Sequence, residues 1–214
     1  MITKLEDVLD EFINDNLLST GIRNKNIYMS QIAMCGFKYR YEYDNDIKID
    51  YSFNYEMGNA FEKIITYKLK KINPNIITQY EVKYKYEDLD IIGRTDAFDF
   101  RNNVIYELKS SFAYKTDYSD IYLRQLKAYM IANTVLYGKT MGILWIYKPL
   151  IRKFNEITVS EANNDDYNNF ISNIAAFREN QYIDGIENSL CTLCKNVKCP
   201  MYKKKKDYNE LFNE

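Results

Sequence analysis

The stretch GRTDAFDFRNNVIYELKS, residues 93 to 110, places an acid at Asp96 and, beyond an Asn pair, an acid and a base two apart at Glu107 and Lys109. Two carboxylates close together and out of water repel, so one of them takes up a proton unless a cation is present. Hard oxygen ligands suit magnesium or manganese, which keep several waters and bind through one or two carboxylates plus a substrate phosphate. Lys109 then stands where an ammonium orients a water or balances charge on a phosphate. The plain alternative is a surface hairpin in which Asp96 and Lys109 form an exposed ion pair worth about 0–1 kcal/mol.

Whether these side chains meet depends on the elements that carry them. The apolar and β-branched residues around Asn102-Asn103 predict strands at 91–100 and 104–110 joined by a two-residue turn that tolerates positive φ. That register sets Lys109 opposite Asp96 and Glu107 opposite Phe98, with all four side chains on one face because strand side chains alternate. A slip of one residue would send Asp96 to the other face. Upstream, periodicity predicts helices at 3–17, from Ser30 as a cap, and from Gly58 to about Lys71; a strand follows at 76–86. Downstream come a helix at 121–136, strands at 141–148 and 154–159, and a helix around 164–179. Helix, three strands, helix, strand predicts an α/β core with a small mixed sheet.

Two helices bear on the hairpin. Phe61, Ile64, Ile65 and Leu69 are the expected buried stripe of the helix from Gly58, with Glu62 at its border. Gln125 and Tyr129, four apart, share one face of the later helix, where such a pair is ordinarily a hydrogen bond at the edge of the core.

Composition narrows the function. The chain has 214 residues, 46% hydrophobic, with 7 Gly and 3 Pro, which is enough for a real core in one domain. Net charge is −1, so any nucleic-acid contact must be local. The absence of histidine excludes Ser-His-Asp triads, Cys-His pairs and His-ligated zinc. No apolar run approaches a membrane span and the amphipathic start MITKLEDVLDEF is unlike a signal peptide, so a cytoplasmic protein with reduced cysteines is expected. YGKTMG at 137–142 imitates the end of a phosphate-binding loop, but Asn133 stands where that loop needs Gly.

Gly58-x-x-x-Glu62, GRTDAF, ELK and Gln125-x-x-x-Tyr129, in this order, resemble the RecB-like nucleases of the PD-(D/E)XK superfamily. The resemblance implies a restriction-endonuclease-like α/β core with a small mixed sheet flanked by helices. It implies Asp96, Glu107 and the Leu108 carbonyl as manganese or magnesium ligands, Lys109 as the catalytic lysine, and Gln125 and Tyr129 as DNA-positioning residues. Glu62 stands where RecB-like members commonly carry His; other branches use a carboxylate from this helix, so Glu62 is a further candidate ligand, and a third carboxylate favours a second cation.

CTLCKNVKC gives Cys191, Cys194 and Cys199, with Cys35 far upstream. Three close thiols in a reduced chain point to metal, and tetrahedral zinc is one reading. One Cys before the nuclease motifs and three after resemble the CRISPR-associated RecB-like iron-sulfur exonucleases and their archaeal-virus relatives, in which four thiolates hold a [4Fe-4S] cluster that staples the domain's ends. Gly36 departs from the Pro frequent there, and the last cysteine gap is about one residue short. The resemblance covers residues 30 to 200 and implies one nuclease domain over 1–214, its core at about 50–160, with 30–45 and 185–202 jointly forming the cluster region.

The expected activity is metal-dependent exonucleolytic, and also endonucleolytic, hydrolysis of DNA, preferring single strands or free ends. KYKY, YKLKK and YKKKK are local basic runs suited to phosphates. Homo-oligomers and a nucleic-acid-processing partner protein are further implied associations. The competing reading is a catalytically silent DNA-binding adaptor of a CRISPR adaptation or viral replication complex.

Overall fold

The computed structural model describes residues 26–45, 53–111, 119–186, 188–189, 191, 194, 196 and 197–202. The helix expected at 3–17 lies outside them. A short strand β1 (Ile27–Tyr28) runs into helix α1 (Met29–Asp44); helix α2 (Phe53–Ile72) precedes β2 (Ile76–Tyr86), β3 (Leu89–Asp99) and β4 (Val104–Ser110). Helix α3 (Ser119–Tyr137), β5 (Met141–Lys148), β6 (Lys153–Val159) and helix α4 (Asn164–Glu179) complete the order. The sheet runs β1-β3-β4-β5-β6, with β2 on the far edge of β3. It is mixed: β1 with β3 and β4 with β5 are parallel, the other pairs antiparallel. The mixed α/β sheet flanked by helices is as expected, and it also recruits β1 and α4, outside the anticipated 50–160 core.

Helices α1, α3 and α4 cover one face, where Ile32, Ile91, Phe98, Ile105, Leu126, Met130, Leu144, Ile174 and Phe177 form the core. Gly142 is required there, because a Cβ would fall 2.5 Å from the Met130 sulfur. Tyr147 alternates with buried Ile146 and leaves by the opposite face, where its ring stacks on Phe61 of α2 at 4.8 Å. No helix among the described residues is long and apolar enough to cross a membrane.

The turn between β3 and β4 corrects the expected register. It has four residues, 100–103, and of the Asn pair only Asn103 has positive φ, at 52°. Asp99 shapes it: Oδ1 accepts from the backbone N–H of Arg101 and Asn102, and Oδ2 from the side-chain amides of Asn73 and Asn102. Burial pushes the Asp99 carboxyl up, but these bonds outweigh it and hold it below the usual range. Pairing is therefore Ala97 with Tyr106, Phe98 with Ile105 and Asp99 with Val104. The shift is two residues, so the expected faces survive while the expected partners change.

Other details differ. Ser30 lies inside the first turn of α1, whose N-cap is Tyr28, with no side-chain cap. That helix is interrupted at Cys35, an extended residue with φ −170° and ψ 107°. Ile64 is 59% exposed, and Thr66 takes its place on the buried stripe. The YGKTMG turn ends a helix: Gly138, at φ 75°, donates its N–H to the Thr134 carbonyl, the usual left-handed stop.

Candidate active site

The site lies at a seam in the sheet. β2 occupies one edge of β3 along its whole length, so β1 and β4 must share the other. β1 takes Ile91 and Ile92, β4 takes 97–99, and the edge between them has no strand partner among the described residues. β3 also loses its alternation here. Ile91 and Gly93 lie under the helices and so does Phe98, an odd interval that strict period two forbids. Directly across from Asp96 on β2, Gln79 sits at φ 54°, a strained left-handed conformation for a side chain this size. Where pairing with β4 stops, the Asp96 carboxylate replaces the missing ladder bond and accepts the Leu108 N–H at 2.6 Å. In an extended strand a residue's N–H and C=O leave by the same edge, so the Leu108 carbonyl faces this seam too.

Asp96 is 6% exposed and Glu107 is fully buried, which removes the reading of a surface hairpin. Lys109 is not paired directly with Asp96. Its Nζ donates to Glu107 Oε1 at 2.5 Å along its own strand, with the lysine side chain 22% exposed. The same Oε1 accepts from Gln125 Nε2 at 2.6 Å, and Gln125 Nε2 also donates to the Tyr129 hydroxyl at 3.0 Å. Gln125 and Tyr129, expected to position DNA, are 5% and 2% exposed; Gln125 bonds Glu107, and Tyr129 is linked to it through Gln125. The Tyr129 ring lies against Gly93, where a Cβ would fall 2.6 Å from it. Glu62 reaches the seam from α2 and accepts from Gln79 Nε2 at 2.6 Å. Gln79 and Gly93 had no signal in the sequence, because a Gln in an alternating strand and an isolated strand Gly are commonplace.

Electrostatics tie the group together. Burial first, and then the charge of Asp96, push the Glu107 carboxyl up to about 8 and Glu62 up to about 7. Burial also raises Asp96, against the pull of Lys109. Burial opposes charge on Lys109, but Glu107 and Asp96 outweigh it and hold the ammonium well above the ordinary lysine range. Burial and Glu107 keep the Tyr129 hydroxyl protonated. Three carboxylates against one ammonium leave an excess of two negative charges, which protons or a divalent cation must answer. Glu107 Oε2 is buried without a hydrogen-bond partner among the described residues. An orphaned carboxylate oxygen of this kind fits a cation's ligand set. As the side chains stand, no group of three or more Cys, Asp or Glu among the described residues is closed into a metal cage.

Cys35, Cys191, Cys194 and Cys199 line a single small cavity between α1 and the C-terminal segment, with Phe37, Tyr182 and Ile186. All four are free thiols. Burial pushes Cys35 up to about 11, partly offset by the Lys38 N–H, and the other three cysteines add to the rise. Next to it, Gly36 donates its N–H to Asn173 Oδ1 at 2.9 Å, and a Cβ there would overlap the Asn173 carbonyl. Proline at 36 would lack that N–H and collide with α4.

No protein-family model matches the chain, and no curated protein does. Solved structures do. A crystal structure of SSO0001 is similar at 20% identity and a TM-score of 0.69, over 90% of this chain and 96% of that one. LHK-Exo, an alkaline exonuclease from Laribacter hongkongensis, is similar at 9% identity and a TM-score of 0.53, over 87% and 94%. LHK-Exo has also been crystallised in complex with dAMP. A phage related exonuclease from Haemophilus somnus 129PT is similar at 8% identity and a TM-score of 0.51, over 72% and 92%. The chain has the fold these proteins share.

Proposed function

We propose that the chain is a divalent-metal-dependent deoxyribonuclease that hydrolyses phosphodiester bonds, chiefly as an exonuclease. The observation that carries this reading is the seam: Glu62 from α2, Asp96 from β3 and Glu107 with Lys109 from β4 converge there, and one buried carboxylate oxygen has no partner among the described residues. The exonuclease neighbours, one of them bound to dAMP, support it. Asp96, Glu107, the Leu108 carbonyl and Glu62 would hold manganese or magnesium. The ion would supply Lewis acidity toward the phosphate and a more acidic bound water.

The chain's own residues have separable tasks. Lys109 stays charged, and its partly exposed amine is placed to hold a water or a phosphate oxygen at the seam. Gln125 fixes the rotamer of Glu107, and Tyr129, wedged on Gly93, fixes Gln125. Both are positioning residues. Gln79 holds Glu62 toward Asp96.

The test is gel-resolved cleavage of end-labelled single-stranded and duplex DNA with manganese or magnesium, comparing wild type with Glu107→Ala after anaerobic purification. Metal-dependent cutting by wild type alone is expected, and the fragment ladder gives polarity. Binding without cutting by either protein would overturn the nuclease and leave the adaptor.

The cysteine cavity is proposed to hold a structural [4Fe-4S] cluster on Cys35, Cys191, Cys194 and Cys199, as in the CRISPR-associated exonucleases the sequence resembles. Four thiols around one cavity suit it. A single tetrahedral zinc on the same four thiolates is the competing occupant. Brown protein with matching iron and sulfide is the expected result; colourless protein with stoichiometric zinc would refute it.

A further inference from the structure

Beside the seam, three rings form a cluster, with Phe61 and Phe154 both against Tyr147 and 6.0 Å from one another. Phe61 lies 4.8 Å from Tyr147 at 17°, and Tyr147 lies 4.6 Å from Phe154 at 25°. Phe154, on edge strand β6, is 61% exposed. An exposed ring on an edge strand is available for stacking, and what surrounds it decides on what. The hairpin end that carries it also carries Lys148, Arg152 and Lys153, and none of the three has a carboxylate partner among the described residues. The one acid of β6, Glu156, accepts from the Trp145 indole at 2.7 Å.

The stack adjoins the candidate active site along two paths. Ile146 is in register with Lys109, and Tyr147 with Ser110; the Tyr147 carbonyl accepts the Ser111 N–H at 2.8 Å. Within the same cluster, Phe61 is the immediate neighbour of Glu62 on α2. Exposed aromatic faces flanked by unpaired cations are what unpaired nucleic acid needs: bases stack on rings and phosphates run along the cations. A paired duplex hides its base faces and would gain only the charge.

We propose that the end of the β5–β6 hairpin binds single-stranded DNA, with Phe154, backed by Tyr147, as the stacking platform and Lys148, Arg152 and Lys153 tracking the phosphates. The proposal rests on the nuclease reading for its purpose, and its binding test does not depend on cleavage. Fluorescence anisotropy of a labelled oligo-dT and of a blunt duplex, in EDTA, would compare wild type with Phe154→Ala, Phe154→Trp and the triple variant Lys148→Ala, Arg152→Ala, Lys153→Ala. Phe154→Ala should weaken oligo-dT binding about 5- to 150-fold and leave the duplex unchanged, with Phe154→Trp restoring it. The triple variant should flatten the salt dependence of log K by roughly 2, about 0.7 per cation removed. Unchanged oligo-dT binding by Phe154→Ala, or equal loss on both DNAs, overturns the platform. So does a change in oligomeric state by light scattering without a change in affinity, which would make Phe154 a contact between copies of this chain. If wild type fails to cleave while selective loss of oligo-dT binding is seen, the nuclease reading falls and the platform stands.

Discussion

Replacing Glu107 with Gln should stabilise the metal-free protein near neutral pH while abolishing cleavage. Glu107 is fully buried and its carboxyl is raised from the ordinary 4.5 to about 8. A group whose pKa is raised on folding contributes stability that is present below 4.5 and lost as pH climbs through 8, because the folded chain holds a proton the unfolded chain releases. At pH 7 the loss is on the order of 3 kcal/mol. Gln keeps the Oε1 acceptor used by Lys109 and Gln125, but its amide nitrogen replaces Oε2, which has no partner among the described residues, at a cost of about 1 kcal/mol. Asp96 remains to counter the Lys109 charge. The net gain is then about 2 kcal/mol at pH 7, or roughly 4–8 °C in melting temperature for a chain of this size, falling toward zero at pH 5. Thermal melts in EDTA from pH 5 to 8 would show it. Added manganese should raise the wild-type melting temperature and leave Glu107→Gln unmoved. A variant that melts below wild type at pH 7, or a difference that ignores pH, would refute the reasoning.

Three further outcomes follow from the same geometry. Manganese binding at pH 7 should displace protons, since Glu62 and Glu107 sit near 7 and 8; calorimetry in two buffers of different ionisation enthalpy would count them, and a count of zero would contradict the raised carboxyls. Gly93→Ala should cost about 1–3 kcal/mol by driving a methyl into the Tyr129 ring. Urea unfolding measures that cost, and an unchanged midpoint would mean the ring is free to shift. Cys35→Ser should lower bound iron and visible absorbance in anaerobically purified protein; full iron retention would remove Cys35 from the proposed cluster.

The sequence made the elements legible where alternation or helical period was strong. β2, β4, β5 and α4 begin and end where the pattern predicts, and α2 and α3 run only a few residues longer. Asp96, Glu107 and Lys109 were legible from the strand-turn-strand pattern, while Glu62 joined them only through the resemblance to RecB-like nucleases. The register was misread by two because a single carboxylate, Asp99, turns the chain through its own hydrogen bonds, and no two-residue template contains it. Gln79, Gly93 and Gly36 were invisible as site-shaping residues. Each is defined by something distant in sequence: a carboxylate on α2, a ring on α3, a carbonyl on α4. The broken helix at Cys35 belongs to the same class, since nothing local to MCGF marks an extended residue.

The gap on the edge of β3 also means that the sheet is two plates joined by a short run of pairing. Asp96 rides on the plate built from β1, β2 and β3, while Glu107 and Lys109 ride on the plate built from β4, β5 and β6. The distance between the two acids is therefore set across a joint, where the β3–β4 pairing at 97–99 and the Leu108 N–H donated to the Asp96 carboxylate hold one half of the sheet to the other. A change at either contact would move Asp96 relative to Glu107 without disturbing the pairing inside either half.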